Sequence, residues 1–166
     1  MFSSLKLNCF LALLALPLGA QPVGGASPAP RTVSVELLRY PLSAKALYML
    51  QKALQISDQG DHAGAVQQLQ KTLSKFPGSG AYVYSLLGVE YLKTGQFSEA
   101  IDALEQAVTL LPHDASNHAN LGLALVCKGQ YDVAEPELRR ALELDPHNVM
   151  ASRLISELVR SETARK

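Results

Sequence analysis

The chain has no tryptophan, only two cysteines in 166 residues, and no net charge, with 15 basic against 15 acidic side chains. Each shortage excludes something. Without a basic excess there is no footprint for a phosphate backbone. With aromatics at 6% there is no stacking platform for single strands, so nucleic acid is excluded as a partner. Cys9 lies in an apolar N-terminal run, which leaves Cys127 alone and rules out a disulfide framework in a processed chain. Cys127 sits in the apolar stretch LGLALVCKG and reads as a buried, inert thiol. No Cys-x-x-Cys occurs, and no two histidines stand four apart, so no metal site is expected. GSG at 78–80 lacks the Gly-Lys-Ser/Thr of a phosphate cradle, and neither Ser85 nor Ser116 lies in a nucleophile elbow. No catalytic residue and no cofactor is expected. Glu90, Glu99, Asp102 and Glu105 are spread over helix faces and read as solvated charge.

What is present begins with an apolar leader. Lys6 precedes LNCFLALLALPLG, a run shorter than the ~20 residues that span a bilayer. Pro17, Gly19 and Ala20 follow as a small-residue cleavage region, so residues 1–20 read as a signal peptide. Cleavage after Ala20 or near Gly24-Gly25-Ala26 predicts an exported chain, in a bacterial periplasm or outside the cell, with no membrane span once mature. An uncleaved anchor or a buried N-terminal helix is the alternative. Residues 21–45 read as a linker and N-terminal extension. QPVGGASPAPRT is a flexible tether, VSVELLRY at 33–40 is more apolar, and Ser43 is placed to cap the next helix.

From there the chain repeats itself. LLGVEYLKTGQFSEAIDALEQAVTLLP (86–112) is answered by NLGLALVCKGQYDVAEPELRRALELDP (120–146), 34 residues on. Gly60, Gly95 and Gly129 mark the period. Around them recur His62, Phe97 and Tyr131; Ala65, Ala100 and Ala134; Leu69, Leu104 and Leu138; Pro77, Pro112 and Pro146. Tyr84, Leu87, Gly88 and Tyr91 share one helix face; Phe97, Ala100, Ile101, Leu104 and Ala107 share another. Gly95 stops the first helix and Pro112 ends the second. Small residues at Gly88 and Ala100 let the two helices approach closely. One such pair cannot bury its faces alone; stacked pairs can. Pro136 lies about a turn into its helix, where it deletes a hydrogen bond and predicts a kink; Asp132 and Glu135 are placed to cap the helix start.

This frame resembles the tetratricopeptide repeat. The second unit matches nearly throughout at Tyr84, Leu87-Gly88, Tyr91, Gly95, Phe97, Ala100, Leu104, Ala107 and Pro112. The third matches with His118 in the aromatic place, and the first is looser, with Lys52 for Leu and Thr72 for Ala. The resemblance implies an all-α, right-handed superhelix of three units at 46–79, 81–114 and 115–148. Residues 149–166 then form a capping helix, with Val149, Ala151, Leu154, Ile155, Leu158 and Val159 covering the end of the stack.

It also implies a concave groove lined by the first helix of each pair, where another protein's peptide or helix binds. The groove-facing set is Leu47, Leu50 and Leu54; Tyr82, Ser85, Val89, Leu92 and Lys93; and Ser116, Ala119, Asn120, Leu123 and Cys127. The expected partner-binding residues are Leu50, Leu54, Tyr82, Val89, Leu92, Asn120 and Leu123. Asn120 suits the carboxylate clamp of some family members, but Leu50, Leu54, Val89 and Leu123 stand where that clamp needs polar groups. An apolar groove is either a recognition patch or further core lidded by VSVELLRY. The expected function is a non-enzymatic, exported adaptor. The alternative is a homodimer assembled through the repeat ends and VMASRLISELV; an apolar-ligand carrier is the third expectation.

Overall fold

The computed structural model describes residues 42–163. Residues 1–41, which hold the expected signal peptide, tether and lid, lie outside them. Among the described residues seven α-helices follow one another: α1 (Ala44–Asp58), α2 (His62–Lys75), α3 (Gly80–Lys93), α4 (Phe97–Leu110), α5 (Ala115–Lys128), α6 (Tyr131–Leu144) and α7 (Val149–Thr163). A short 3₁₀ turn at Pro77–Ser79 separates α2 from α3, and no strand occurs among the described residues. The fold is all-α. α1 pairs with α2, α3 with α4 and α5 with α6, and each second helix packs on the first helix of the next pair.

Local chemistry sets the helix ends. The Ser43 hydroxyl accepts from the Ala46 amide at 3.2 Å and caps α1, as its position predicts. Asp61 and Asp114 cap α2 and α5 in the same way, through the Gly64 and Asn117 amides. Gly129 ends α5 at φ +80°, a left-handed conformation that side chains with a Cβ resist, and Gly60 and Gly95 take the same role. α6 departs from expectation. Its cap residue Gln130 makes no side-chain cap bond, and Glu135 pairs instead with Arg139 one turn on. Asp132 and Glu135 therefore do not cap it, and the helix runs unbroken through Pro136.

The repeat frame is the core frame. Leu69, Leu104 and Leu138 hold one position in successive units and are 1%, 0% and 0% exposed. Each such burial contributes roughly 1.5–3 kcal/mol. Ala65, Ala100 and Ala134 are equally closed. Gly122 lies so near α6 that a Cβ there would stand 2.5 Å from Leu138 Cδ2, and Gly88 faces Leu104 in the same way. Two clusters result. One gathers Leu50, Ala53, Leu69, Val83 and Leu87; the other runs from Leu92 and Leu104 through α5 to Ala151, Leu154 and Leu158 of α7.

α7 packs on α6 and α5. It buries Ala151, Leu154 and Leu158, but Val149 and Val159 are 79% and 46% exposed and do not cover the stack as the sequence suggests. Their spacing places them on the apolar face, yet they fall at its margins, where no helix among the described residues covers them.

Candidate functional site

The first helices α1, α3 and α5 carry the residues expected to line a groove. α3 keeps part of that surface open. Tyr82, Ser85 and Val89, spaced by three and four residues, are half-buried on one face, and Lys93 beyond them is exposed. On α1, Leu47 and Leu54 are exposed at 47% and 44%.

Most of the rest of the expected set is core, although Ser116 is exposed. Leu50, Leu92 and Leu123 are 5%, 0% and 0% exposed, so in this conformation none of the three offers contact area to a partner. Asn120 is 9% exposed. The reason is the crowding of α5, which has packed neighbours in α3, α4, α6 and α7. Every residue from Asn117 to Val126 is buried, whichever way it points. Of the expected partner-binding residues, Leu54, Tyr82 and Val89 remain accessible. Cys127 is half-buried and packs against the second cluster.

Two polar constellations were not foreseen. Glu90, expected to be solvated, is 3% exposed. It lies seven residues after Val83 and three after Leu87, on the buried face of α3, and that spacing was the available clue. Its carboxylate accepts from the Ser57 hydroxyl at 2.8 Å and from Lys93 Nζ at 2.9 Å, and His62 Nδ1 stands at 2.9 Å from its second oxygen. Lys93 Nζ also donates to Ser57 Oγ at 3.0 Å. Burial pushes this carboxyl up. The hydrogen bonds from Lys93, Ser57 and His62, with the Lys93 charge, outweigh burial and hold it below the usual glutamate range. The cluster joins the end of α1 and the start of α2 to α3, a polar staple between the first and second pairs.

His118 replaces the aromatic of the frame in α5. Its Nδ1 lies 2.7 Å from Glu137 Oε2 in α6, and its Nε2 lies 3.1 Å from the Pro112 carbonyl. Both partners can accept, so either ring nitrogen has a hydrogen-bond acceptor in reach. Both histidine–carboxylate clusters tie helices together. His113 and His147 are exposed in the turns after their prolines. Among the described residues no three His, Cys, Asp or Glu side chains gather as metal ligands. No helix among them is long and apolar enough to cross a membrane.

A family model described as the tetratricopeptide repeat matches residues 50–115, 85–149 and 119–161, which together span most of the described chain. Cellulose synthase operon protein C of Escherichia coli (strain K12) is 32% identical over 108 residues, covering 65% of this chain and 9% of that protein. The chain thus spans under a tenth of the curated relatives it matches there. Among solved structures, the first repeat domain of Spaghetti (RPAP3), bound to the HSP90 peptide SRMEEVD, superposes with a TM-score of 0.69. That match has 21% identity over 75% of this chain and 98% of the other. The Thermobaculum terrenum O-GlcNAc transferase gives a TM-score of 0.59 at 31% identity, over 63% of this chain and 20% of that enzyme.

Proposed function

We propose that this chain, which belongs to the tetratricopeptide repeat family, is a non-enzymatic adaptor that holds a peptide or helix of another protein on its concave surface. The observation that carries this is the strip Tyr82–Ser85–Val89 on α3, half-buried, with exposed Lys93 at its end. The strip is apolar with a hydroxyl, chemistry that suits the apolar face of a peptide or helix, while the Lys93 ammonium is held by Glu90 and Ser57. Support also comes from the Spaghetti (RPAP3) domain, which was solved with a peptide bound. Buried Leu50 and Leu123 leave no polar clamp for a chain-terminal carboxylate, so an internal segment is the proposed ligand.

The proposal includes export to a bacterial periplasm or the exterior. Its support is the apolar leader with Lys6 before it and Ala20 after it. N-terminal sequencing of the secreted chain should begin at Gln21 or shortly beyond Ala26.

A second reading rests on the exposure of Val149 and Val159 at the margins of the apolar face of α7, which would suit a homodimer. Light scattering on the mature chain separates the two.

The adaptor reading is tested by placing a photo-crosslinker at position 89 in the producing cell and repeating the capture with Val89→Asp. The expected result is one reproducible foreign protein whose isolated segment binds the purified chain and is lost at least tenfold in Val89→Asp, with helix content retained. Crosslinks confined to residues 31–42 of the same chain would mean that the surface is filled internally, and the proposal would fall.

A further inference from the structure

α3 has a second accessible face. Tyr84 and Tyr91 each lie two residues beyond a residue of the concave strip, about 200° round the helix. With Leu87 they floor a groove of about 480 Å³ between α3 and α4, walled by Glu99, Asp102 and Glu105 of α4. The floor is apolar and aromatic. The wall is three carboxylates at three-residue spacing, all exposed, all on one helix face.

Three features of this wall need an explanation. Among the described residues no lysine, arginine or histidine pairs with Glu99, Asp102 or Glu105; the ion pairs present lie elsewhere. Like charges three apart on a helix repel one another, and only Glu99, in the first turn of α4, gains from the helix dipole, so helix formation does not account for Asp102 and Glu105. Nor does the repeat require the wall. The equivalent residues of the third unit are Val133, Pro136 and Arg139, and those of the first are Gly64, Gln67 and Gln70. The acidic wall belongs to the second unit alone. Its floor is held in place, since Gln70 of α2 donates to the Tyr91 hydroxyl at 3.4 Å.

We infer that this groove is a second docking site, distinct from the concave strip, for a basic amphipathic segment of a partner protein. An apolar or aromatic side chain of that segment rests on Tyr84 and Tyr91, with Leu87 buried beneath them. Its lysines or arginines, spaced by three or four residues, meet Glu99, Asp102 and Glu105. Three unpaired carboxylates beside a low-dielectric tyrosine floor complement that charge and reject an acidic segment. An adaptor with two faces on one helix would hold two ligands at once, one on the concave strip and one on the acidic wall.

The test uses the full mature chain and a synthetic helix-forming peptide carrying four lysines on one face around a central tryptophan. Controls are the same composition scrambled and the same sequence with glutamates for lysines. Anisotropy titrations should show micromolar binding of the patterned peptide, at least tenfold tighter than either control and weakened by salt. The triple variant Glu99→Gln, Asp102→Gln, Glu105→Gln should weaken it at least tenfold, and Val89→Asp should leave it unchanged. All three carboxylates are exposed, so the triple variant should keep its helix content, which circular dichroism checks. Equal binding of the scrambled peptide, or indifference to the triple variant, would overturn the inference. Loss in Val89→Asp alone would move the ligand to the concave strip, and self-association abolished by the triple variant would make a second copy the occupant. Either of those outcomes also overturns it.

Discussion

Ser57 Oγ lies 2.8 Å from Glu90 Oε1 across the junction between the first and second helix pairs. The two residues are 33 positions apart, and both are buried. A carboxylate at an apolar junction is stable only with its acceptors filled, and here Ser57, Lys93 and His62 fill them.

The lowered pKa of Glu90 makes stability depend on pH in a definite sense. A carboxyl held below its ordinary value favours the folded state when ionised. That contribution is full above the ordinary glutamate range and disappears as the pH falls through the lower folded value. Urea melts in acid should therefore show the wild type losing stability that Glu90→Gln has already lost. At neutral pH, Glu90→Gln should cost about 1–3 kcal/mol, the worth of charged hydrogen bonds. Parallel pH profiles for the two proteins would contradict this role.

Gly122 tests the helix contact. Its missing Cβ would stand 2.5 Å from Leu138 Cδ2. Gly122→Ala should gain helix propensity of about 1 kcal/mol yet lose more to overpacking, for a net destabilisation of about 1–2 kcal/mol. Adding Leu138→Ala should relieve the clash, so the double variant should be less destabilised than the sum of the singles. Strict additivity in thermal melts would show that α5 and α6 do not meet this closely.

Pro136 tests the opposite case. It is exposed in the interior of α6, where proline lacks the amide that would bond to the turn before it. Pro136→Ala should stabilise the chain by about 1–3 kcal/mol and raise the melting temperature by several degrees. No rise would mean that the rigid ring offsets its lost bond through the unfolded state.

Much of this was legible in the residues. The period appears in Gly60, Gly95 and Gly129, and each adopts the left-handed turn that a helix stop needs. The leucine after each turn, Leu69, Leu104 or Leu138, is the core residue that its spacing implies. Ser43 caps α1 as placed. These features are local or repeat at fixed distance, so backbone geometry and hydrophobic period determine them without knowledge of neighbours.

The candidate surface was only half legible, and the difference is physical. Periodicity gives the angle at which a side chain leaves its helix. It does not say whether another helix lies at that angle. Leu54 and Leu123 hold comparable places on α1 and α5, yet one is 44% exposed and the other 0%. α1 opens the described stack, whereas α5 has helices on either side. Glu90 followed the same logic, since its burial came from stacking and its stability from partners 28 and 33 residues away. The sequence by itself determined the repeat, the helix stops at its glycines and the contacts within each pair. Stacking order alone decided which side chains stay open to a partner, because exposure depends on what lies across the gap.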